Sequence, residues 1–291
     1  MKINNEIFSK ESNKIKEDLT IASLSDVHIN RGMSYQLIDK TIEKVASLKP
    51  NYITISGDII YRAKEYLIQS NREKLVHFFR SLSQITQVII SYGNHDLRDD
   101  KNITAGEAHH FLEYLTKIYN LVILDNTNLL TNDINFVGFS QRLDGYNEKY
   151  KKKWTKWFYE DYLAANLKII KDKFNVLLLH SPLPLHDPEL VYLLKDYFAE
   201  IDLILTGHMH DGLVPKWMQN IGLVTNEYGF NPSFYWMFEP KCRGSFELGD
   251  STLIVNRGLR KWVIDTPLCN LIDQVCAKDI TTITLKKVYK K

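Results

Sequence analysis

The chain has 291 residues, 44% of them hydrophobic and 25% charged, ordinary globular usage that sets aside disordered, fibrous and membrane-spanning classes. Lys and Arg number 37 against 35 Asp and Glu, so the charge balance gives no general attraction to nucleic acid, and no specific nucleic-acid partner is expected. No run approaches the roughly 18 apolar residues of a membrane-crossing helix, and residues 1–20 lack the apolar core of a secretory leader. The three cysteines, Cys242, Cys269 and Cys276, are odd in number and crowd the C-terminal part, which fits a reducing cytoplasm better than a disulfide framework.

Taken in chain order, short β-branched and apolar runs predict strands at 19–25, 51–56, 87–92, 121–124, 134–139, 175–179, 201–206, 251–255 and 280–285. Helical patterns fall between them at 34–49, with Ser34 as N-cap, and at 64–82, 106–119, 155–170 and 188–198. Strands alternating with helices predict an α/β architecture. With no internal repeat and no Gly/Ser/Pro-rich linker, residues 1–291 are expected to form a single domain.

Five of the predicted strands run directly into polar residues. These are Asp26-Val27-His28, Gly57-Asp58, Gly93-Asn94-His95-Asp96, His180, and Gly207-His208-Met209-His210. Ligands of open α/β sheets bind at the carboxyl ends of strands, so these groups are expected to converge on one pocket. Carboxylates, an amide and imidazoles without a thiolate suit Mn, Fe, Zn or Ni rather than an all-oxygen ion. Asp26 and His28, like His208 and His210, are two apart, which on an extended segment turns both side chains the same way. Each motif alone is equally an ordinary turn; their order and strand context together make a metal site.

In that order the motifs resemble the calcineurin-like metallophosphoesterase family, from about residue 18 to 212, and Asn256-Arg257-Gly258-Leu259 is similar to its YkuE-type bacterial branch. The resemblance implies a four-layer α/β/β/α sandwich with two mixed sheets. It implies that Asp26, His28 and His210 hold one divalent transition metal, that Asn94, His180 and His208 hold a second, and that Asp58 bridges them. His95 is implied as the acid that protonates the leaving group, oriented by Asp96. The implied reaction is hydrolysis of a phosphate mono- or diester by in-line attack of a hydroxide shared by the two ions, without a phosphoenzyme. A pyrophosphatase or phosphodiesterase acting on a lipid-linked or nucleotide substrate is the alternative. A non-catalytic protein-binding scaffold is the third reading, disfavoured because every ligand and His95 are kept.

The sequence departs from the branch at Met209, Asp211 and Leu213, where Thr, Gly and Gln are usual, which bears on substrate choice. Two aromatic segments, 154–162 and 228–238, could border a substrate mouth. The first, preceded by Lys151-Lys152-Lys153, could also touch an anionic membrane surface as a peripheral contact, although an ordinary amphipathic helix explains it better. His77, His109, His110 and His186 have no partners at useful spacing and receive no role, and the oligomeric state is not legible.

Overall fold

The computed structural model describes residues 3–97, 105–146, 151–210, 243–260, 271, 273 and 278–289. Twelve strands are described: β1 Ile3–Ser12, β2 Leu19–Leu24, β3 Tyr52–Ser56, β4 Gln87–Ser91, β5 Leu121–Ile123, β6 Asn128–Leu130, β7 Ile134–Phe139, β8 Phe174–Leu179, β9 Leu203–Thr206, β10 Gly244–Leu248, β11 Ser251–Val255 and β12 Lys278–Lys287. The α-helices are α1 Tyr35–Ser47, α2 Gln69–Ile85, α3 Ala105–Ile118, α4 Lys151–Ala165, α5 Pro188–Leu193 and α6 Lys195–Phe198.

The strands form two six-stranded sheets, ordered β1-β12-β2-β3-β4-β5 and β10-β11-β9-β8-β7-β6. Both sheets are mixed. In the first, β2 to β5 are parallel while β12 runs antiparallel to β2; in the second, β7, β8, β9 and β11 are parallel, with antiparallel β6 and β10 at the edges. Central strands β7, β8 and β9 are buried along their whole length, as parallel strands covered on both faces must be.

Burial separates the core into the three interfaces of a four-layer α/β/β/α sandwich. Ile21, Ile89 and Ile283 of the first sheet meet Phe136, Val176, Leu205 and Ile254 of the second in the middle layer. Leu37, Ile38 and Val45 of α1 and Leu75, Phe78 and Leu82 of α2 cover the outer face of the first sheet. Trp154, Phe158 and Tyr162 of α4, with Leu190 and Phe198, cover the outer face of the second.

Local chemistry explains the helix boundaries. Ser34 caps α1 by accepting from the Leu37 amide at 3.2 Å, and Asp187 caps α5 ahead of Pro188, whose missing N–H costs nothing at the first helical position. The helix expected over 64–82 is divided: a 3-10 turn, Ala63–Leu67, ends at Ile68, whose extended backbone (φ −85°, ψ 113°) starts α2. Three strands are additional to those read from the sequence: the edge strand β1, the short β6, and β10. Phe158 and Tyr162 of α4 pack on Phe139, with ring centroids 5.1 and 5.3 Å away, and with Trp154 they belong to the core, while Trp157 and Tyr159 are half-buried. Segment 228–238, Asp211 and the three cysteines lie outside the described residues. Among the described residues no helix is long and apolar enough to cross a membrane.

Candidate metal centre

The loops after β2, β3, β4, β8 and β9 meet across the gap between the sheets. The Ser56 hydroxyl donates to the Leu205 carbonyl at 3.2 Å, and the Gly207 amide donates to the His180 carbonyl at 2.8 Å, tying these strand ends together. The loop after β2 is laid against the loop after β3 by the amides of Asp26 and His28, which donate to the carbonyls of Gly57 and Asp58 at 3.1 and 3.0 Å.

Two sets of ligand atoms result, each with its atoms within 4.8 Å of one another: Asp26, His28, Asp58 and His210 in one, and Asp58, His180 and His208 in the other. Asp58 belongs to both. Its Oδ2 is buried, with no hydrogen-bond partner among the described residues, 3.4 Å from His28 Nε2 and 3.1 Å from His180 Nε2. Asp26 Oδ1 lies 3.4 Å from His210 Nε2 and 3.8 Å from His28 Nε2, and the Nε2 atoms of His28 and His210 face each other at 3.3 Å. Asn94 Oδ1 and His180 Nε2 are further buried atoms with no hydrogen-bond partner among the described residues. Buried polar atoms are almost always bonded, so a convergence of bare carboxylate, amide and imidazole acceptors is the chemistry of a cation site.

The imidazoles are aimed by backbone carbonyls. Nδ1 of His180 faces the Ser56 oxygen at 2.7 Å, that of His210 the Arg260 oxygen at 2.6 Å, and that of His95 the Tyr61 oxygen at 2.6 Å. A carbonyl only accepts, so each Nδ1 carries a proton, which leaves Nε2 as the atom aimed inward.

The pairs at spacing two are not extended. Asp26, His28, Asp58, His208 and His210 all have positive φ, between 47° and 69°, so left-handed turns rather than strand alternation direct these side chains. Such conformations cost energy in non-glycine residues and concentrate at functional sites. Two motif glycines are there because backbone passes against a carboxylate. A Cβ on Gly93 would sit 2.2 Å from Asp58 Oδ1, and one on Gly207 would sit 2.6 Å from Asp26 Oδ2.

Burial and mutual charge set the protonation states. Burial opposes charge on both Asp58 and His180, yet their attraction outweighs it, holding the Asp58 carboxyl well below the carboxylate range and pushing His180 up to about 9. Burial holds His28 and His208 well below the usual histidine value, and His95 below it. Burial, with repulsion from Asp58, raises Asp96 to about 7.

His95 is brought to the same place. Its ring is edge-on to His28 at 4.9 Å and stacked on Tyr61 at 5.4 Å, and its amide donates to Asp58 Oδ1 at 2.9 Å. Asp96, the next residue, is buried. Its carboxylate accepts from the amides of Ile59, Ile60 and Gly93 at 2.9, 3.2 and 2.9 Å, stitching the two loops together, while His95 Nδ1 is met by Tyr61.

Two residues beside the site escaped sequence reasoning. Tyr146 has its ring 5.3 Å from His208 and 5.9 Å from His180, and its hydroxyl is buried with no hydrogen-bond partner among the described residues. Burial, then repulsion from Asp58 and Asp96, raises its pKa well above the usual phenol value, so it stays a neutral donor. Arg260 is fully buried behind the Asp26 loop. Neither stands in a recognisable motif; the Tyr146 signal is only a tyrosine shortly after a strand.

The calcineurin-like phosphoesterase profile matches residues 19–212. An uncharacterised metallophosphoesterase of Campylobacter jejuni is 27% identical over 252 residues; the match takes in 85% of this chain and 55% of that protein, so the chain spans about half of that relative's length. The UDP-2,3-diacylglucosamine pyrophosphatase LpxG of Chlamydia trachomatis is 25% identical over 284 residues, covering 84% of this chain and 78% of that protein. Among solved structures, a dimetal phosphatase from Danio rerio aligns with a TM-score of 0.41 and 13% identity, over 86% of this chain and 89% of that chain.

Proposed function

Because the chain belongs to the calcineurin-like phosphoesterase family, we propose that it is a two-cation hydrolase of phosphate esters. Asp26, His28, Asp58 and His210 would hold the first cation, and Asp58, Asn94, His180 and His208 the second. The observation that carries this reading is the shared Asp58, with its unpartnered Oδ2 between His28 and His180. When bound, divalent cations held by these residues would make a coordinated water more acidic and would neutralise charge on the phosphoryl group. The ligand set suits Mn, Fe, Zn or Ni.

The chain's own groups then divide the remaining work. His95, with Nδ1 committed to Tyr61, has only Nε2 available, and that atom would deliver a proton to the departing oxygen. Tyr146 would donate its idle hydroxyl to a phosphoryl oxygen over the second site, a neutral donor where a further charge would cost more to bury. Asp96 would keep the Asp58 and Asn94 loops in register. Placement of β12 between β1 and β2 supports treating residues 1–291 as one domain.

The test is hydrolysis of p-nitrophenyl phosphate and bis-p-nitrophenyl phosphate by chelated protein re-supplied with Mn²⁺, Zn²⁺, Fe²⁺, Ni²⁺ or Mg²⁺. Metal-restored turnover is expected, and the preferred substrate separates monoesterase from diesterase. Protein that binds two ions and hydrolyses neither substrate would count against the reading.

A second reading, cleavage of the pyrophosphate of a lipid-linked or nucleotide substrate, is supported by the similarity to LpxG across most of both chains. It makes a separate demand on His95. Phosphate is a far better leaving group than an alkoxide, so a pyrophosphatase would depend little on that proton. Peripheral membrane contact and cytoplasmic location accord with this reading and are tested by fractionation.

A further inference from the structure

Arg260 is the one described residue bonded to three of the four members of the first ligand set. Its backbone N–H donates to the Asp26 carbonyl at 3.0 Å, its Nη1 donates to the His28 carbonyl at 3.1 Å, and its own carbonyl receives His210 Nδ1 at 2.6 Å. Nη1 also reaches Asn30 Oδ1 at 2.6 Å, and Nε reaches Asp273 Oδ2 at 3.2 Å. Asp273 is shared with the buried Lys278, whose Nζ lies 2.7 Å from its Oδ1. The second ligand set is aimed differently, through the Ser56 carbonyl on His180.

Burying a guanidinium costs several kcal/mol unless its donors are met, and an apolar residue of equal size would pack more cheaply there. What the guanidinium supplies is a planar fork whose donors point to different partners at once. Here one side grips the carbonyl of His28, a residue held at φ 47°, while the other is anchored to Asp273. A left-handed histidine needs such an external hold to keep its ring directed at Asp58 and His210.

We propose that Arg260 is a positioning residue for the first cation site: it locks the Asp26, His28 and His210 ligands in one geometry, so that its loss weakens the first ion far more than the second. The inference rests on the two-cation reading. Loss of an outer partner of metal ligands commonly costs 10–100-fold in affinity, and that range is expected for the first ion alone.

The experiment uses the full chain loaded with Mn²⁺. Two neighbouring Mn²⁺ ions give an exchange-coupled spin-resonance signal, whereas a single ion gives an isolated six-line spectrum. Wild-type protein lacking the coupled signal would fail the two-cation reading itself, before any variant is compared. Given a coupled wild type, Arg260→Met is expected to show the six-line spectrum and about half the metal per chain after dialysis, with Arg260→Lys between the two. Combined with His208→Ala, which leaves the first set as the remaining site, Arg260→Met should abolish tight binding. Combined with Asp26→Asn it should change nothing. A coupled signal with wild-type affinities in Arg260→Met, or equal weakening of both ions, would overturn the inference. If Arg260→Met does not fold, Asn30→Ala removes the acceptor at 2.6 Å and takes its place: selective loss of the first ion supports the role, and wild-type affinity overturns it.

Discussion

Replacing Gly93 with alanine tests whether backbone proximity builds this site. The new Cβ would lie 2.2 Å from Asp58 Oδ1, 2.5 Å from the Asp58 amide nitrogen and 2.9 Å from its Cγ. Carbon and oxygen approach no closer than about 3.3 Å without strain, so the carboxylate must retreat by roughly 1 Å. It has little room, because Oδ1 accepts from the His95 amide at 2.9 Å and the Asp58 carbonyl accepts from His28 at 3.0 Å. Metal sites tolerate only about 0.2 Å in ligand distance, and reacting groups displaced by about 1 Å lose on the order of 100-fold in rate.

The expected result for Gly93→Ala is therefore a folded protein with fewer than two ions per chain and turnover reduced about 100-fold, measured by elemental analysis and bis-p-nitrophenyl phosphate hydrolysis. Two controls separate this from general damage. Gly138→Ala creates the same overlap, 2.2 Å to Leu124 Cβ, but in the sandwich core. It should lower Tm by roughly 2–10 °C, from about 1–3 kcal/mol of overpacking, with metal content unchanged in the folded fraction. Gly145→Ala meets nothing nearer than Arg142 Cγ at 3.9 Å and should be neutral on both counts. Gly93→Ala with full metal content and wild-type turnover would refute the reasoning.

Other perturbations read other parts of the site. His95→Ala should keep its metals and lose turnover most with poor leaving groups; equal loss across a leaving-group series would remove it as the acid. Asp58→Asn should lower occupancy to at most one ion, and retention of two after dialysis would contradict a bridge. Tyr146→Phe removes a hydroxyl with no partner among the described residues, so Tm should hold or rise while kcat/KM falls about 10–100-fold; unchanged kinetics would leave the hydroxyl without a part in the reaction. In metal-free protein, burial disfavours charge on His180 but Asp58 outweighs it and lifts its pKa to about 9, so below that pH a cation must displace a proton. Metal affinity should then fall about tenfold per pH unit from 9 to 7, and a flat profile in chelator competition would show that His180 is already neutral.

What was legible in the sequence, and what was not, follows from the range of the forces involved. Strands β2, β3, β4, β8 and β9 and the residues just beyond them were readable because a buried parallel strand must be a continuous apolar run, and polar residues ending it stand out. Edge strand β1 was hidden for the opposite reason. Its alternation of exposed and half-buried positions is strand-like, but its partner is β12, some 270 residues away, and only that pairing makes it a strand. The three ring carbonyls, Ser56, Tyr61 and Arg260, were equally out of reach, since any residue supplies a backbone oxygen and only the fold decides which one faces a histidine.

Asp26-Val27-His28 and His208-Met209-His210 are the clearest case of local geometry hidden from the sequence. Strand alternation would turn both members of each pair the same way, but the chain does not adopt it, and His208 and His210 fall in different ligand sets. These residues take left-handed conformations, tolerated because Asp, Asn and His reach that region more easily than β-branched residues do, and because each turn is held from outside. The holders are identifiable: Gly57 and Asp58 carbonyls under the Asp26 loop, the Asp26 carboxylate accepting from the His208 amide at 3.1 Å, and Arg260 on His28 and His210. A ligand of one set thus supports the backbone of the other, so the two halves of the site are expected to stiffen together when either is filled, and hydrogen exchange at the His208 amide should slow on occupation of the first set alone. An exchange rate at His208 that responds only to the second set would show that the link through Asp26 carries no coupling.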